Sequence, residues 1–224
     1  MTIQTNPGAR TFFEFLDVPL TTRIRWTLVA LAVVIAVSYW FPLWRISMVA
    51  PQYPKGLTLD IYSWRLDGGN QGRDIAEINI LNHYIGMKQI VREEMVDLNW
   101  LPIALGVTLL LLLRSALLGS VRTLIDMAVL ATYLCGFAFA RFLVMLYSFG
   151  HDLDPTAPMD VEPFTPAIVG TKQIANFKTS SWPLPGAWCL MLFFAGLGIV
   201  TLLALRDGRR QALARRMAAG PAAA

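Results

Sequence analysis

Four apolar runs, each close to the ~20 residues a helix needs to cross a bilayer, constrain this chain more than any other feature. They extend from Trp26 to Trp44, Leu101 to Leu118, Leu124 to Tyr147 and Leu184 to Leu205. Only 15% of the residues are charged, against about a quarter in soluble domains. The expected fold is therefore an all-α membrane protein, a four-transmembrane-helix bundle with a small α/β extracytoplasmic head. Spans are expected at 26–44, 101–118, 124–147 and 184–205. Between them lie a head at 45–100, a cytoplasmic turn at 119–123 and a second outer loop at 148–183. Residues 1–25 form a cytoplasmic or interfacial segment, and 206–224 a basic cytoplasmic tail.

The first run competes with a signal peptide. The segment ahead of it is long and carries Glu14 and Asp17, and the run ends in bulky aromatics instead of a cleavage site. It reads as a retained helix. Orientation follows from Lys and Arg in the short segments. Arg10, Arg23 and Arg25 precede the first run, Arg114 and Arg122 bracket the short turn, and Arg206, Arg209, Arg210, Arg215 and Arg216 follow the fourth. The pattern places both termini in the cytoplasm, as a multi-pass protein of a bacterial inner membrane. The same clusters explain the pI near 9.3 without a nucleic-acid partner. Tyr39, Trp40, Trp44, Trp100, Tyr147, Trp182 and Trp188 fall at the expected outer ends, as an interfacial belt should.

The segment TFFEFLDVPL, with Phe12, Phe13, Phe15 and Leu16, reads equally as a short helix on the inner leaflet or as a turn packed on its own bundle. The two cysteines, Cys135 and Cys189, fall at different depths, which argues against a bridge.

Residues 45–100 hold the most pattern. GLTLDIYSW alternates, with Leu57, Leu59 and Ile61 on one face, and reads as a strand. LDGGNQG is a turn cluster. Asp74 and Glu77 have capping-box spacing, and Ile75, Ile78, Leu81 and Ile85 follow at helical intervals. Gly86 fits a helix C-cap, and a second helix over Gln89–Asn99 would lead into the membrane.

His83 and Met87, four residues apart, could present an imidazole and a thioether on one helical face. These are copper ligands, the thioether favouring Cu(I). His151, followed by Asp152, Asp154 and Met159, opens the other outer loop. The candidate metal ligands are thus His83, Met87 and His151, with Met48, Met95 and Met159 expected on the same side. The competing reading makes His83 a structural histidine and Met87 a gap filler.

MVAPQYPKGLTLDIY followed by DIAEINILNHYIGMK, roughly residues 48–90, resembles a segment of bacterial membrane proteins associated with copper delivery to respiratory enzymes such as nitrous oxide reductase. The resemblance points to Tyr53, Pro54, Gly56, Asn82, His83, Gly86 and Met87.

Within the third run, Asp126 can neutralise Arg122 four residues away, and Arg141 can snorkel to the outer surface. Thr132, Gly136 and Ala140 make a small-residue stripe suited to close helix contact. No phosphate loop, nucleophile elbow or HExxH motif is present, so an enzyme is the poorest fit. The leading expectation is an integral membrane accessory or assembly protein that handles copper for a respiratory enzyme on the outer face. The alternative is a non-catalytic structural subunit of a respiratory or photosynthetic electron-transfer complex. A transporter ranks third, because four helices with so few embedded polar groups make a poor pathway.

Overall fold

The apolar runs are divided between helices and a sheet. The computed structural model describes residues 13–174 and 176–219. Arg10, Phe12 and the last residues of the Ala-rich tail lie outside them. The helices are α1 (Thr22–Ser38), α2 (Arg73–Tyr84), α3 (Asp97–Leu118), α4 (Val121–His151) and α5 (Pro185–Ala219). The strands are β1 (Trp44–Ala50), β2 (Tyr53–Ile61), β3 (Leu66–Gly68), β4 (Gly170–Ile174) and β5 (Phe177–Pro183).

Among the described residues three helices, α3, α4 and α5, are long and apolar enough to cross a membrane. The expected four-span, all-α bundle is therefore corrected to three candidate spans joined to an α/β domain with a five-stranded sheet. The first apolar run accounts for the difference. It is helical only as far as Ser38, giving α1 17 residues. Tyr39 and Trp40 close that helix with hydrogen bonds to carbonyls three residues back. Pro42 then favours an extended residue before it, and Trp44 already pairs with Ile61 and Pro183. The apolar residues 39–44 serve a turn and a strand.

The chain divides into two compact units. Of the described residues, the first takes in those up to 35, with 106–133 and those from 192 to 219. In it Leu20 N donates to Gly119 O (3.2 Å), Val121 N to Val18 O (3.1 Å) and the Arg25 guanidinium to Leu117 O (2.6 Å). Arg122 pairs through two nitrogens with Asp17, at 3.0 and 3.2 Å, so Asp17 is its hydrogen-bonded partner and the expected Asp126 adds only a weaker attraction. The Arg209 guanidinium lies 5.5 Å from the centre of the Phe15 ring. The segment around residues 14–25, the 119–120 turn and the start of the basic tail thus gather at one place. Val18 and Leu20 are buried, which favours the turn-on-bundle reading of that segment.

The second unit holds residues 36–105 and 134–191. Its sheet is antiparallel in the order β3-β2-β1-β5-β4. The head is therefore not one contiguous segment, since β4 and β5 come from the loop before α5. On β2 the expected alternation holds, with Leu57 and Leu59 almost fully buried. They pack with Met48, Ile174 and Phe177, with Ile78 and Leu81 of α2 and with Ile85 just after it. On the opposite face Asp60 pairs with Arg45 across β1 and β2, through two contacts of 2.6 Å.

Two local expectations change. Gly72, in the left-handed region, is the N-cap of α2, and no side chain caps it. Asp74 is instead buried in the first turn, where its carboxylate accepts from Thr58 N (2.8 Å) and Asn70 Nδ2 (2.6 Å) and ties α2 to β2. No helix forms over 89–96. α3 begins at Asp97, which leaves Pro102 inside the helix and not in its first turn.

Candidate functional site

The segments that carry His83, Met87 and His151 meet where the end of α2 approaches the end of α4, within the second unit. α2 stops because Gly86, at φ +75°, takes a left-handed conformation. Met87 N then turns back to Asn82 O (2.8 Å), the C-terminal closure that glycine permits. Met87 consequently lies beyond the helix, and the expected helical i,i+4 face of His83 and Met87 does not form. His83 is exposed, whereas Met87 is half-buried and packs against the sheet core.

The chain after α4 docks on this turn by backbone. Asp154 N donates to Gly86 O at 2.8 Å, and Met159 N to Tyr84 O at 3.0 Å. A Cβ on Gly86 would approach Asp154 O and N within 2.8 and 2.9 Å, so the contact demands glycine. Lys88 reinforces it, its ammonium donating to Asp152 Oδ2 (2.8 Å) and Ser148 Oγ (2.6 Å). Ser148 Oγ also donates to Asp152 Oδ2 at 2.8 Å. The Lys88 hydrogen bond, then that of Ser148, holds the Asp152 carboxyl below its ordinary value. Asp154 is lowered as well, by bonds from the Thr156 hydroxyl and backbone, with a smaller contribution from His83. The segments 83–88 and 148–159 are thus neighbours despite their separation in sequence.

His151 stacks on Tyr147, with ring centres 3.7 Å apart and planes 13° apart. Its Nδ1 lies 3.1 Å from Tyr147 O. A carbonyl only accepts, so Nδ1 carries the proton in this bond, and a neutral ring keeps the Nε2 lone pair for a ligand. Histidines that bind metals are commonly oriented this way. Among the described residues no three His, Cys, Asp or Glu side chains are close enough to form a metal cluster.

Met48, Met87 and Met95 line one apolar cavity, together with Met145 of α4. Met145 escaped the sequence reading because it sits in a membrane-length run, where a methionine looks like any other apolar residue. The clamp of Lys88, Ser148 and Asp152 was also missed. Ser148 and Asp152 have helical spacing, but nothing in the sequence marks Lys88 as their partner. No family model matches the chain, and no curated protein or solved structure resembles it significantly.

Proposed function

We propose that this membrane protein is an accessory or assembly factor whose sheet-bearing unit handles Cu(I) for a respiratory enzyme, at soft donors gathered around the α2–α4 junction. The observation that carries the reading is the docking of 152–159 on 84–88 through Gly86 O and Tyr84 O. It sets the segment that carries His83 and Met87 beside the segment that carries His151 and Met159. Two imidazoles and two thioethers are neutral ligands that suit Cu(I) without a thiolate. Such donors resist an oxidising compartment in which thiols are at risk. Arginines around the short turn and in the tail favour the cytoplasmic side for that end. The junction and sheet are then extracytoplasmic, in the inner membrane, where a larger respiratory complex is accessible.

Competitive titration of the full-length, detergent-solubilised protein with a chromogenic Cu(I) chelator tests the reading. One equivalent of Cu(I) is expected to be retained. His83→Ala, Met87→Leu and His151→Gln should each weaken binding at least about tenfold, since even the loss of an outer-shell partner costs that much. A folded wild-type protein that surrenders all copper to the chelator would refute the copper assignment.

A further inference from the structure

The cavity lined by the methionines has a second chemistry: it shares Met87 with the proposed copper junction, but His83, His151 and Met159 do not line it. It occupies ≈110 Å³ within the sheet-bearing unit. One wall is the inner sheet face, with Ile46, Met48 and Leu59. The facing wall is α4, where Phe142, Met145 and Phe149 recur at helical spacing on a single stripe. No charged side chain lines it, and the buried Asn82 is among its few polar residues. A nucleotide, a carboxylate or a phosphate would find no counter-charge there. Apolar cavities of this order stay dry and accept small hydrocarbon groups instead.

Two further observations point to the source of such a group. α4 is one of the helices apolar enough to lie in a bilayer, so a wall of the cavity belongs to an element that hydrocarbon chains can surround. Phe142, Met145 and Phe149 are only half-buried although they line it, so the cavity is not sealed. Its methionines can repack around an irregular guest.

We infer that the cavity takes the end of a hydrocarbon chain drawn from the membrane, an acyl or isoprenoid tail. That volume has room for the last few carbons of a chain. The polar part of the molecule stays outside, where the lining offers it nothing.

The test uses the full-length protein in phosphatidylcholine nanodiscs. One arm carries phosphatidylcholine with a diazirine at the acyl terminus, and the other a diazirine-bearing isoprenoid alcohol. After irradiation, adducts are mapped by peptide mass spectrometry. Adducts are expected on the β1 and β2 peptides containing Met48 and Leu59, and the productive arm identifies the tail. Met145→Trp, which fills the cavity, should abolish those adducts while labelling at the exposed Val144 and Tyr147 persists. Met145→Phe provides a smaller filling should the tryptophan disturb folding, which near-ultraviolet circular dichroism reports. Labelling confined to Leu143, Val144 and Tyr147 in both arms would overturn the inference. So would β1–β2 adducts indifferent to both substitutions. Protection of Met48 and Met145 from peroxide by Ag(I), without tail adducts, would overturn it in favour of a thioether metal site.

Discussion

Gly86 shows how one residue can close a helix and receive a distant loop. Its left-handed φ of +75° ends α2, and its missing side chain leaves room for the backbone of Asp154. Gly72 also has a positive φ, +89°, but a Cβ there would meet open space. Gly72→Ala should therefore cost about the 1–2 kcal/mol of an L-residue in that conformation. Gly86→Ala adds displacement of the 154 backbone and should lower the melting temperature by more. Equal shifts for the two variants in detergent would mean that the loop does not rest on Gly86. The C-cap role of Gly86 was legible from helical periodicity followed by glycine. The docking of Asp154 was not, because it depends on a pairing across the fold. Asp74 was misread for a similar reason. A first-turn Asp looks the same in sequence whether it caps its own helix or reaches a strand.

Among the elements, α3 and α4 are joined by an ion pair that local reasoning could not find. Arg141 donates through Nε and Nη2 to both oxygens of Asp97, each at 3.1 Å. Trp100 Nε1 donates to the same carboxylate at 2.8 Å, and the Trp100 ring lies 5.1 Å from that of Phe137. Arg141 therefore has a fixed partner, where snorkelling alone was expected. The side chains remain 41% and 19% exposed, so the pair belongs with the modest surface class. A double-mutant cycle of Asp97→Asn and Arg141→Gln should return a small but measurable favourable coupling, as partly exposed ion pairs with two-point geometry do. A coupling indistinguishable from zero would leave Arg141 a snorkelling cation. The long helices α3, α4 and α5 were legible because apolar runs of that length have few other uses. α1 was overextended because an apolar turn and strand continue its run, and hydropathy does not distinguish the two.

Across the whole molecule, the feature that sequence could not supply is the assembly of one sheet from two segments more than a hundred residues apart. The alternation over 56–64 made a strand visible, although β2 runs from Tyr53 to Ile61. β4 and β5 were hidden in a loop, since Gly170–Ile174 and Phe177–Pro183 carry mixed polar patterns with only Ile174, Phe177 and Ser181 buried. This pairing matters most, because β1 and β5 bring the cavity wall together and hold the chain that follows α4 near α2. Cysteines placed at Val49 and Lys178, partners in the β1–β5 register and both exposed, measure it directly in a background with Cys135 and Cys189 replaced by Ser. Facing residues of an antiparallel pair have Cα atoms about 4.5–5.5 Å apart, within disulfide reach. Mild oxidation should crosslink Val49→Cys with Lys178→Cys rapidly and leave the fold unchanged, while Val49→Cys with Gln173→Cys, on β4, stays reduced. Failure of the 49–178 pair to form, or crosslinking of the 49–173 control instead, would contradict the two-segment sheet.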